Sequence, residues 1–122
     1  MTGVQTCALP ISWTDLTASG ESYDTNYERD PLFGNTRDSL IYNKDYVGDA
    51  DETNPYISPL FGDFTGFPPM LIQVGSYEML LSDSTSVAEK AKKQGVKVRL
   101  SIYEGMFQIG RASCRERVYV LV

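Results

Sequence analysis

The 122-residue chain carries 16 Asp and Glu against 11 Lys and Arg, a net charge of −5. That balance excludes a partner bound through clustered cations on phosphate, so no nucleic acid is expected. Hydrophobic residues make up 42%, ordinary for one soluble domain, no apolar run is long enough to span a bilayer, and histidine is absent.

The opening "MTGVQTCALPI" has a short apolar patch with no basic residue before it and reads poorly as a signal peptide, which favours a cytoplasmic location. Next, "WTDLT" (13–17) has the pattern of a strand end. The stretch "DPLFGNTRDSLIYNKDYVG" (30–48), after Asp30-Pro31, predicts one short helix or two. Tyr23, Tyr27, Tyr42, Tyr46 and Tyr56 are scattered without period and are expected to pack or hydrogen-bond rather than bind a ligand. The acidic run "KDYVGDADETN" (44–54) lacks the order and the closing Glu of a calcium loop, so it reads as a solvated loop. With no His and two distant cysteines, Cys7 and Cys114, zinc has no ligand set.

The second half is more regular. "NPYISPLFGDFTGFPPM" (54–70) carries Pro55, Pro59, Pro68 and Pro69 with Gly62 and Gly66, so it is a structured connection without a regular element. Met70, Leu71, Ile72 and Val74 then form a near-continuous apolar run, the pattern of a strand covered on both faces. Ser82 is placed as a helix N-cap, with Asp83 in the first turn where the helix dipole favours an anion. The helix runs on through "STSVAEKAKKQ" with Val87, Ala88 and Ala91 on one face, and Gly95 supplies a left-handed stop. In "VKVRLSIYE" (96–104) apolar Val96, Val98, Leu100 and Ile102 alternate with Lys97, Arg99, Ser101 and Tyr103, a strand with one wetter face. Strand, helix and strand at this spacing are a βαβ unit over residues 70–104. The fold class is therefore α/β with parallel strands and a right-handed crossover.

Open α/β sheets do their chemistry just beyond the carboxyl ends of the strands. "GSYE" puts Glu78 at that rim, and "GMFQ" puts Gln108 at the same rim after the neighbouring strand. A carboxylate beside a partner on adjacent strand ends is the geometry in which an acid orients a histidine. Here the carboxylate is present and the histidine is not. Past Gln108 the composition changes abruptly, with Arg111, Arg115 and Arg117 crowded around Cys114.

The blocks "WTDLT", "NPYISPLFGDFTGFPPMLIQVGSYEMLLSDS", "AEKAKKQGVKV" and "YEGMF" resemble the C-terminal half of the hormone-sensitive-lipase-type (family IV) esterases of the α/β-hydrolase fold, over about Ser12 to Phe107. The resemblance implies a serine carboxylic-ester hydrolase working through a Ser-His-Asp/Glu triad. The family's "G-x-x-D/E-x-L" acid maps to Glu78, with Asp83 the less favoured alternative. Its "GM-x-H" histidine maps to Gln108. The serine elbow and the His-Gly-Gly oxyanion motif belong upstream and do not occur in this chain, which is therefore expected to be inactive as written. The resemblance implies no metal or organic cofactor, and a small-molecule ester as the partner. The competing expectation is a non-catalytic acidic binding module on the same fold.

The two ends, "TGVQTCALPI" and "IGRASCRERV", resemble in-frame translations of sequencing-adapter DNA. On that resemblance residues 1–11 and 109–122 are adapter-derived and residues 12–108 are a partial α/β-hydrolase domain. Adapter bases would complete a codon beginning with C as CAG, glutamine. Histidine codons begin with C, so Gln108 would stand where the family histidine was cut. Ser12 would likewise replace a proline. Both cysteines then say nothing about redox compartment.

Overall fold

In the computed structural model, residues 13–31 and 44–107 are described. In chain order the elements are two single-turn helices, α1 (Ser22–Thr25) and α2 (Lys44–Val47), a 3-10 turn (Pro59–Phe61), strand β1 (Met70–Gly75), helix α3 (Leu81–Lys93) and strand β2 (Val98–Tyr103). The strands pair in parallel, from Met70 opposite Val98 to Gly75 opposite Tyr103, with α3 as the crossover. The expected βαβ unit is present, and the fold class is α/β.

Helix α3 buries one stripe. Val87 and Ala91 pack with Phe64 and Val96, and Met70, Ile72 and Val98 of the strands close the cluster from the sheet side. These spacings are those of one helical face against alternate strand positions. Gly95 ends the helix with φ +85, a conformation that a side chain would strain. The proline-rich connection is held to the helix by polar contacts: Lys90 Nζ donates to Leu60 O at 2.7 Å, and Phe64 N–H donates to Gln94 Oε1 at 2.7 Å. A second cluster, Tyr23, Met79 and Leu80 with Trp13 and Ala18, sits at the other end of α3.

Three expectations need correction. Strand β1 is not covered on both faces: Met70 to Gln73 are half-buried, and only Val74 and Gly75 are buried. Gln73 is half-buried, and its Nε2 donates to Tyr103 Oη in an exposed hydrogen bond. Ile102, on the covered parity of β2, is 50% exposed at the edge of the described sheet. Ser82 is not the N-cap; α3 begins at Leu81 after Leu80. The reason is a tertiary pairing, in which Ser82 N–H donates to Ser22 Oγ and Ser22 N–H donates to Ser82 Oγ, both at 2.8 Å. Finally, "WTDLT" is not a strand but a turn-bearing loop. The amides of Thr14 and Asp15 bond to a side chain, and those of Leu16 and Thr17 to Ser58 Oγ and Asp15 Oδ1, so no ladder can form.

The acidic stretch is only partly loop, since α2 occupies its start and residues 49–54 are exposed. Among the described residues no group of three or more His, Cys, Asp or Glu is placed to hold a metal ion, and no helix is long and apolar enough to cross a membrane. Tyr23 is buried as a packing residue, whereas Tyr46 and Tyr56 are 70% and 94% exposed. Most of the helix expected between Asp30 and Gly48 lies outside the described residues, as do Tyr42, Gln108 and both terminal segments.

Candidate active site

The carboxyl ends of β1 and β2 meet in one hydrogen-bonded rim. Ser76 N–H donates to Tyr103 O at 2.9 Å, Tyr77 N–H to Met106 O at 3.0 Å, and Gly105 N–H to Ser76 Oγ at 2.9 Å. The approach is so close that a Cβ on Gly75 would fall inside the Met106 carbonyl, with Phe107 N 3.1 Å away. Gly75 is therefore required by space rather than by its backbone angles. The chain after β2 is thus docked on the chain after β1 as far as Phe107, the residue before Gln108.

Glu78 lies in this rim, 3% exposed. Its side chain turns back so that Oε1 accepts the Gly75 N–H at 2.8 Å, while its own amide donates to Gly75 O at 3.2 Å. The bond from the Gly75 N–H fixes the direction of the carboxylate. Such a group can hold the tautomer of an imidazole and stabilise the imidazolium.

Asp83, the alternative acid, is committed elsewhere. Oδ2 accepts the amides of Thr14 and Asp15, each at 2.9 Å, and the Thr14 hydroxyl at 3.2 Å, while Oδ1 accepts the Tyr23 hydroxyl at 2.8 Å. Burial pushes the Asp83 carboxyl above the ordinary carboxylate range, and the hydrogen bonds from Tyr23, Thr14 and Asp15 offset this only in part. Burial first, and then the Asp83 charge, push the Tyr23 phenol far up, so it stays protonated and donates. Asp83 therefore ties residues 13–15 and α1 to the start of α3.

Three further polar side chains reach the turn that carries Glu78, and composition alone did not single them out. Asn26 Nδ2 donates to Ser76 O at 2.9 Å and to Glu78 O at 2.8 Å. Asp30 Oδ2 accepts the Met79 N–H at 2.9 Å, and Ser22 Oγ donates to Met79 O at 2.6 Å. Their spacing at i, i+4 and i+8 was the available signal, because it is the spacing of one helical face. The Arg29 guanidinium also stacks over the Tyr77 ring, 5.5 Å from its centroid.

The chain is similar to known ester hydrolases in sequence and in fold. An esterase of Acinetobacter venetianus is 39% identical over 99 residues, 81% of this chain and 33% of its own length. An acetyl-hydrolase of Streptomyces hygroscopicus is 37% identical over 103 residues, 84% of this chain and 33% of its own. The crystal structure of a hormone-sensitive lipase from a metagenome library superposes with a TM-score of 0.74 at 41% identity, covering 84% of this chain and 35% of that one. The chain thus spans about a third of the length of the curated relatives it matches. The model of the alpha/beta hydrolase fold matches residues 2–108, and with the parallel βαβ unit and its rim already in place, the chain belongs to the α/β-hydrolase fold family.

Proposed function

We propose that this chain is the acid-bearing part of a serine carboxylic-ester hydrolase. Glu78 is the triad acid, Gln108 occupies the position of the triad histidine, and the serine nucleophile comes from sequence outside the chain. The observation that carries the reading is the placement of Glu78, a buried carboxylate pinned by the Gly75 amide where the loop after β2 docks. The esterase and acetyl-hydrolase relatives supply the substrate class. In the full enzyme the serine attacks the ester carbonyl while a histidine takes its proton. Glu78 holds that histidine's orientation and stabilises its charged form. Asp83 has no part in the chemistry, because its acceptor positions are filled by Thr14, Asp15 and Tyr23.

Three experiments test this. The 122-residue chain should hydrolyse a short p-nitrophenyl ester no faster than buffer; activity that survives repurification would overturn the assignment of the nucleophile elsewhere. The longer reading frame that contains this chain should encode a serine elbow upstream and histidine at position 108. In that enzyme Glu78→Gln should lower kcat by on the order of 10³- to 10⁴-fold, the loss expected when a triad acid is neutralised. A reading frame with neither residue would favour a non-catalytic binding module.

A further inference from the structure

We infer that Asn26 and Asp30 are positioning residues that set the direction of the Glu78 carboxylate, an inference that rests on the reading of Glu78 as triad acid. The peptide unit joining Glu78 to Met79 is held at both polar ends from one short segment: Asn26 takes its carbonyl and Asp30 takes its N–H. The second hydrogen of the Asn26 amide holds Ser76 O, so the backbone is fixed on both sides of the Glu78 Cα. Asn26 and Asp30 are 3% and 1% exposed, so water does not compete for these bonds. The segment keeps its own shape, since Arg29 N–H and Asp30 N–H both donate to Asn26 O, at 3.0 and 2.9 Å. Held at Ser76 O, Glu78 O and Met79 N–H, the turn keeps the Glu78 Cα, and with it the Cα–Cβ direction that aims the carboxylate at the Gly75 amide, in place. Asn suits position 26 because two carbonyls need two donors from one planar group, which neither Asp nor Ser can supply. At position 30 the Met79 N–H needs an acceptor, which Asn retains and Ala does not.

The test follows the Gly75 amide, whose bond to Glu78 Oε1 reports where the carboxylate sits, by hydrogen exchange in the folded 122-residue chain. The Val96 amide, bonded to Ala91 O at 3.0 Å in the other cluster, serves as reference. Asn26→Ala and Asp30→Ala should each speed Gly75 exchange about tenfold relative to Val96, the effect of one lost hydrogen bond. Asp30→Asn, which keeps an acceptor for the Met79 N–H, should speed Gly75 exchange less than Asp30→Ala does. In the longer reading frame the same alanine variants should lower kcat at unchanged KM. Gly75 exchange that rises no more than that of Val96 would overturn the inference. So would full kcat in the alanine variants when Glu78→Gln abolishes turnover. If Glu78→Gln leaves kcat intact, the triad reading fails, and Gly75 exchange still decides whether Asn26 and Asp30 place the carboxylate. Should the alanine variants not fold, both side-chain amide protons of Asn26 must be protected in the unsubstituted chain, and free exchange of both would refute the arrangement.

Discussion

Replacing Asp83 by Ala removes the acceptor of two backbone amides and two hydroxyls. The Thr14 hydroxyl can turn elsewhere, and the Tyr23 hydroxyl already lies 3.3 Å from Asp15 O, so neither need be orphaned. The amides of Thr14 and Asp15 cannot turn, and both residues are buried. A buried donor left unpaired costs about 1–3 kcal/mol, so the pair amounts to about 2–6 kcal/mol. That compares with a total of about 5–15 kcal/mol for a whole domain, so Asp83→Ala should unfold this chain or bring it to the margin. Asp83→Asn keeps one oxygen for the two amides, and its NH2 can donate to the Tyr23 oxygen once the phenol turns to Asp15 O. It loses mainly the charge assistance and should cost about 1–2 kcal/mol. Urea unfolding measures both, and the single tryptophan reads the release directly, because Trp13 Nε1 donates to Asp15 O within the tethered segment. An Asp83→Ala protein within about 0.5 kcal/mol of the unsubstituted chain, the range of an ordinary surface change, would refute the anchoring role. Equal effects of Ala and Asn would refute the assignment of the cost to the two amides.

The Tyr23 phenol predicts an alkaline limit. Its folded value lies above the ordinary 10.0, so folding favours the neutral form. The contribution is complete below about pH 10 and is lost as pH rises further, and Tyr23→Phe should flatten the fall in urea midpoint measured across that range. Gly75→Ala should cost about 1–3 kcal/mol or more, because the atom in the way is the Met106 carbonyl of the backbone. Faster exchange of the Tyr77 amide, which donates to Met106 O, would accompany it; an unchanged rate would show that the rim tolerates a methyl. Gly95→Ala meets nothing within 4 Å and carries only the strain of φ +85, about 1 kcal/mol by thermal or urea unfolding. A loss several times larger would point to a packing role that the open surroundings do not provide.

Local signals in the sequence determined the βαβ unit. The apolar run 70–74, the helical stripe of Val87, Ala88 and Ala91, the stop at Gly95 and the alternation through Tyr103 each concern residues within a few positions of one another. Backbone geometry converts such spacings directly into faces. The place of Glu78 followed from the same logic, since a residue three past a strand end lies at the rim. Tertiary structure decided the rest. Helix α3 starts at Leu81 because Ser82 pairs with Ser22, 60 residues away. Residues 13–17 form a loop because Asp83 takes two of their amides across separations of 69 and 68 residues. The surroundings of the two carboxylates differ in their donors, which include the Gly75 amide for Glu78 and the Tyr23 hydroxyl for Asp83. Asn26 and Asp30 carry no local signature beyond helical spacing, because what they grip lies about 50 residues further along the chain. A hydrogen-bond partner is fixed by which segments pack together, and one residue's type and its neighbours do not encode that choice.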